Sequence, residues 1–219
     1  MNKNLYFTEV NRGTSILCCI LALALGVGGC SGYRGYKSSG DPLLDDKDSE
    51  FQKGRDRPPT VKTLHTMADV LAAQGKDSDC EFILKRTIQL YPEFLPAYNS
   101  LAELQMRQGH VNEATDTITA ALKVQPRDSV LLNNLGMCCI VRREYQKALD
   151  MFTIAAGIMP DHPRYRANMA VALGLMGRDA ESLSLLKQVL PDDQANHNLK
   201  VIREARESAN RVRTDSKSN

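Results

Sequence analysis

Tryptophan is absent from the 219 residues, and aromatics make up only 5% of them. A surface that stacks sugars or bases therefore has little to build with, whereas helices packed through Ala, Leu and Met need no more. Charge of one sign is missing too: 28 basic residues face 26 acidic ones, a net of +2. No field of that size draws nucleic acid or steers an acidic substrate. Six cysteines are present, but Cys18, Cys19 and Cys30 lie in or just after an apolar N-terminal stretch. The rest, Cys80, Cys138 and Cys139, have neither C-x-x-C nor zinc-ligand spacing, so they read as small core residues. Also lacking are a nucleophile with a base, paired carboxylates, a Gly-rich phosphate loop and a metal-ligand cluster. The four histidines, His65, His110, His162 and His197, are scattered. No cofactor, metal or small-molecule substrate is expected, and no catalysis.

What is present begins with an address. Residues 1–12 carry Lys3 and Arg12, and an apolar run follows from Ile16 to Val27, the layout of a signal peptide over residues 1–29. As a helix the run rises roughly 21 Å, short of the ~30 Å hydrocarbon core. It ends in Val27-Gly28-Gly29-Cys30, which resembles a bacterial lipobox. That resemblance implies a mature chain beginning at Cys30, with a diacylglyceryl thioether and an acylated (palmitate-type) amine; several acyl chains together anchor stably. Ser31 after it implies sorting to the outer membrane. The alternative is an ordinary secretory cleavage with an incidental cysteine. From Cys30 to Thr60 the chain is rich in Gly, Ser, Asp and Lys without a sustained apolar period, which predicts a flexible tether. Pro58 and Pro59 end it, and Thr60 is a candidate helix N-cap.

Beyond Thr60 the punctuation is periodic. Pro92, Pro126 and Pro160 recur at a constant spacing of about 34 residues, and Gly75, Gly109 and Gly177 keep the same clock with one beat missing, at Arg143. The register divides the chain into segments 61–94, 95–128, 129–162 and 163–192. Small residues recur at Ala102, Gly136 and Ala170, where paired helices need close approach. The third segment carries Leu132, Leu135, Gly136, Tyr145, Ala148, Phe152, Ala155 and Pro160, and the second Tyr98, Leu101, Ala102, Gly109, Ala114, Ala121 and Pro126. The first keeps Leu64, Met67, Ala68, Leu71, Gly75, Leu84 and Pro92, with Cys80 where a small residue is usual. These marks resemble the tetratricopeptide (TPR) repeat. The resemblance implies an all-α, right-handed solenoid of about four helix pairs, since one pair cannot bury its own apolar face. The fourth repeat departs, with Ser182 for Ala and Pro191 ending it early. Leu199, Ile202, Ala205 and Ala209 then form one stripe, predicting a capping helix over residues 193–210 and a disordered tail over 211–219.

A TPR array presents the first helix of each repeat along a groove, at repeat positions 2, 5, 9 and 12. The candidate groove residues are His65, Asp69, Asn99, Glu103, Met106, Asn133, Met137, Ile140, Arg164 and Val171. Asn99 and Asn133 are expected to hydrogen-bond an extended ligand's backbone above an apolar floor of Met106, Val130, Met137, Ile140 and Val171. The carboxylate clamp of chaperone-binding TPR domains is not matched, because its Lys and Asn positions hold His65 and Asp69 in one register and Asn99 and Glu103 in the next. With the lipobox, the short fourth repeat and the stretches LLNNLGMC and A-N-H-N-L, residues 61–205 resemble the TadD-type TPR lipoproteins of tight adherence (Flp) pilus assembly. That resemblance implies a bacterial envelope protein, lipid-anchored and facing the periplasm, whose partners are a pilus secretin or other secretion components. A pilotin-like lipoprotein of type IV pili or type II secretion, and a soluble periplasmic TPR chaperone, are the alternatives.

Overall fold

The computed structural model describes residues 59–215. The signal peptide, Cys30 and all of the tether but its last two residues lie outside the described residues, as does the end of the tail from 216. Nine helices and no strand are found among the described residues: α1 Val61–Ala73, α2 Asp77–Leu90, α3 Leu95–Arg107, α4 Val111–Val124, α5 Ser129–Val141, α6 Tyr145–Ile158, α7 Pro163–Leu175, α8 Asp179–Lys187 and α9 Asp192–Asp215. Starting at Val61, Leu95, Ser129 and Pro163, the helices α1, α3, α5 and α7 keep the period of the prolines, and each packs against the helix that follows it. The fold is the all-α helix-pair array that the TPR pattern implies. Two compact units divide it: α1–α4 lie in one, which ends at Val124, and α5–α9 in the other, which starts at Gln125.

The clock read from the sequence is a clock of helix ends. Gly75, Gly109 and Gly177 all adopt positive φ, and Arg143 does the same at 61°. At each of the four sites the next residue's N–H reaches five residues back: Lys76 to Leu71, His110 to Gln105, Glu144 to Cys139 and Arg178 to Leu173, at 2.8–2.9 Å. This left-handed cap satisfies carbonyls that the end of a helix orphans. Arg143 thus performs the glycine's role at a steric cost that glycine escapes. Helix starts are capped less uniformly. Thr60 Oγ1 accepts from Thr63 N–H, and Asp128 accepts from both Val130 and Leu131 N–H at 2.9 Å.

In the first unit, Ala68, Cys80, Leu84, Ala97, Leu101 and Leu104 form one buried cluster from α1, α2 and α3. Cys80 fills a packing position there. In the second unit, Phe152 of α6 lies against Gly136 of α5 so closely that a Cβ at 136 would meet its ring. Gly174 of α7 is likewise closed over by Ile202 of α9. Ser182, which stands where the pattern has Ala, is buried and donates to the Ala170 carbonyl at 2.7 Å, so its hydroxyl carries no unmet desolvation cost.

The terminal helix differs from the expected 193–210. It spans Asp192–Asp215 and so takes in the first five residues of the expected disordered tail. No Gly or Pro interrupts the chain from 192 to 215, and Arg211 pairs with Glu207 one turn back at 3.7 Å. Its apolar stripe, Ala195, Leu199, Ile202 and Ala205, joins the core of α5–α8. No helix among the described residues is long and apolar enough to cross a membrane.

Candidate functional site

In the first unit the proposed groove positions are polar and partly self-paired. His65, half-buried, meets the Phe94 ring edge-on at 5.4 Å. Its Nδ1 lies 3.5 Å from the Asp69 carboxylate and its Nε2 3.4 Å from Ser100 Oγ. Asn99 Nδ2 donates to Glu103 Oε1 at 2.9 Å. Met106 is half-buried. The face therefore presents acidic oxygens whose nearest polar partners are an amide and an imidazole. A ligand carboxylate would find repulsion there.

The second unit arranges its amides differently. Asn168 Nδ2 donates 2.7 Å to Asn133 Oδ1, across α7 and α5, and Asn133 Nδ2 donates 3.2 Å to Asn134 Oδ1. Asn133 and Asn168 are 4% and 2% exposed, and Asn168 Oδ1 has no hydrogen-bond partner. One turn along each helix stand Met137 and Val171, half-buried and packed against the core of this unit. Arg164 is exposed, two residues beyond His162. The His162 ring stacks on Tyr165 at 4.5 Å, and burial, followed by the Arg164 charge, lowers its pKa from the ordinary 6.5. Tyr165 in turn donates to Ser129 Oγ at 3.2 Å.

Two groove residues read from the sequence take other places. Ile140 is not part of an open floor; it is a core residue, buried with Phe152, Ala172 and Leu175. Asn133 is buried rather than free at the surface, and its side-chain carbonyl accepts from Asn168. Asn168 itself was not foreseen, since repeat position 5 in the fourth repeat is Ala167. The signal was nonetheless present: Asn134 and Asn168 stand one full period apart. The adjacent thiols at 138 and 139 are both buried, and burial raises the Cys139 pKa from its ordinary value of 9.0. Among the described residues no three His, Cys, Asp or Glu side chains gather as a metal site would require.

No family model matches the chain. A stretch of 107 residues is 26% identical to mouse protein O-mannosyl-transferase TMTC1; it is 47% of this chain and spans only 11% of that protein. Solved structures resemble it over more of its length. A tetratricopeptide repeat protein from Parabacteroides merdae is 16% identical with a TM-score of 0.63, covering 76% of this chain and 67% of that one. YrrB, described as a TPR protein with an unusual peptide-binding site, is 18% identical with a TM-score of 0.54, covering 68% and 79%. The O-GlcNAc transferase of Thermobaculum terrenum is 20% identical at a TM-score of 0.52, and only 26% of that chain is covered. Together with the periodic helix pairs, these likenesses establish the fold: the chain is built as an array of tetratricopeptide repeats.

Proposed function

We propose that this protein is a non-catalytic holder of other proteins that takes an extended polypeptide segment along α5 and α7, the first helices of the repeats in its second unit. The observation that carries this reading is the Asn133–Asn168 amide pair, with Asn168 Oδ1 left as a buried acceptor without a donor. An unpaired buried acceptor costs about 1–3 kcal/mol. A turn of the Asn168 side chain toward the groove would bring this enclosed acceptor to the N–H of a bound strand, a donor that removes the cost, and amide side chains recognise backbone whatever the ligand's sequence. Met137 and Val171 beside the pair supply an apolar surface that adapts to varied side chains. The peptide-binding site named for YrrB supports the same class of ligand.

The narrower reading is a TadD-type lipoprotein of tight adherence pilus assembly, anchored through a lipidated Cys30 at the outer membrane and holding a secretin or another secretion component. Its support is the lipobox and the repeat-and-cap layout. Capture experiments with the full chain test the holder. Wild type is expected to retain a reproducible set of envelope proteins, and Met137→Glu to lose them by at least tenfold while far-UV circular dichroism stays constant. Equal capture by the variant would overturn the groove. Fractionation tests the anchor separately: Cys30→Ser should move the protein from the membrane to the soluble fraction, and an unchanged membrane fraction contradicts lipidation.

A further inference from the structure

The tenth position of the four repeats is held by Val70, Leu104, Cys138 and Ala172. Three of these are 0–2% exposed, and Val70 is 50% exposed. Leu104 shares a buried cluster in the first unit with Cys80 and Leu84 of α2, the helix before its own. Ala172 shares a buried cluster in the second unit with Phe152 of α6, again the preceding helix. No described helix precedes α1. Its outer face consequently stays open as a depression of ≈ 640 Å³ lined by residues that include Thr63, Met67, Val70, Leu71 and Gln74.

We propose that this face is the docking site of the chain's own residues 43–51. The polypeptide leading into α1 is held beside it, because Tyr91 Oη donates to the Pro59 carbonyl at 2.9 Å. Residues 52–58 extend at most about 24 Å, and the face from Thr63 to Gln74 is about 17 Å long, so residues 43–51 reach all of it. Between Ser31 and Thr60 the only aliphatic side chains are Leu43 and Leu44, and the only Phe is Phe51. Around them Asp45, Asp46, Asp48 and Glu50 outnumber Lys47. The face offers the complement, with Lys62 exposed on it and no acidic residue in the first turn of α1. A segment joined by so short a link acts at roughly millimolar effective concentration, which favours it over a second copy.

This cover is not a further repeat. Pro58 does lie one period before Pro92, but Asp46, Glu50 and Lys53 stand one period before the buried Cys80, Leu84 and Thr87. Charges at those positions cannot build a helix-pair core. The segment serves as a strap over the edge, held by three apolar residues.

The test places a p-benzoyl-phenylalanine photocrosslinker at position 67, and separately at the exposed position 74, in the full-length chain, with isotopically light and heavy copies mixed. Crosslinks from both positions to residues 43–51 of the same chain are expected, falling at least tenfold in a Leu43→Ser, Leu44→Ser, Phe51→Ser variant whose circular dichroism is unchanged. Light-to-heavy crosslinks would make a second copy the occupant and overturn the proposal. So would the absence of crosslinks to 43–51, or their survival in the triple variant.

Discussion

The first and last helices of this array solve one problem in opposite ways. Each ends a stack of helix pairs, so each must deal with an apolar face that has no next repeat to cover it. At the C-terminal end α9 does this within the described residues: Leu199 and Ile202 are buried, and Gly174 gives Ile202 its room. Asp179 at the start of α8 then pins the helix, bound by Arg206 Nη1 at 2.6 Å and Arg203 Nε at 2.7 Å, while Arg206 also donates to the Gly174 carbonyl. At α1 the corresponding surface keeps Met67 and Val70 half-exposed. The difference teaches that a repeat position has no fixed burial. The same register can be core or surface, depending on whether a neighbouring helix lies over it.

The largest effect comes from placing one substitution at both kinds of position. Leu104→Asp should cost more than about 3 kcal/mol, because it buries a charge without a partner, whereas Val70→Asp, where a docked segment and no packed helix lies over the side chain, should cost about 1 kcal/mol or less. Equal losses in urea unfolding would erase the contrast between the open face and the sealed one. Next, Ile202→Ala at the sealed end should cost about 2–5 kcal/mol through the cavity it leaves over α7 and α8. Hydrogen exchange should place that loss in α7–α9, and a uniform change over both units would contradict a local cap.

A smaller effect is expected from Asp179→Asn, about 1–2 kcal/mol, given that the carboxylate is partly solvated. Hydrogen bonds from Arg206, chiefly, hold the Asp179 pKa below its ordinary 3.8. For a depressed carboxylate, the stabilisation is complete above the unfolded value and disappears as pH falls through the folded one. The gap in melting temperature between wild type and Asp179→Asn should accordingly persist from pH 7 to 5 and close below about pH 4. A gap independent of pH would remove the ion pair from the account of the cap.

The smallest effect has the opposite sign. Arg143→Gly relieves a positive-φ strain of about 1 kcal/mol but loses the Arg143 Nη1 bond to the Ala209 carbonyl at 3.2 Å. The net expectation is a gain of about 0.5 kcal/mol, measured by chemical denaturation, with destabilisation contradicting the left-handed cap.

Most of the architecture was legible because TPR structure is punctuated by backbone chemistry. Turns need positive φ and repeats end in proline, so the missing glycine at Arg143 could be located from the sequence before its backbone was seen. The groove was less legible. Helix α5, SVLLNNLGMCCIV, is apolar on nearly every side, and a helix without an amphipathic stripe does not disclose which side meets solvent. Ile140 was misplaced for that reason. Asn168 was missed because a position template selected Ala167, one residue away and about 100° around the helix. Helix α9 runs five residues past the expected end because the apolar stripe stops at Ala209 while no Gly or Pro breaks the helix behind it.

The holder reading stands most directly on in-cell crosslinking from position 134, next to the buried Asn133–Asn168 pair. With p-benzoyl-phenylalanine there, the account predicts covalent adducts with other proteins, absent when the same residue replaces exposed Thr153 on α6. Identical adducts from both positions, or none from 134, would contradict it.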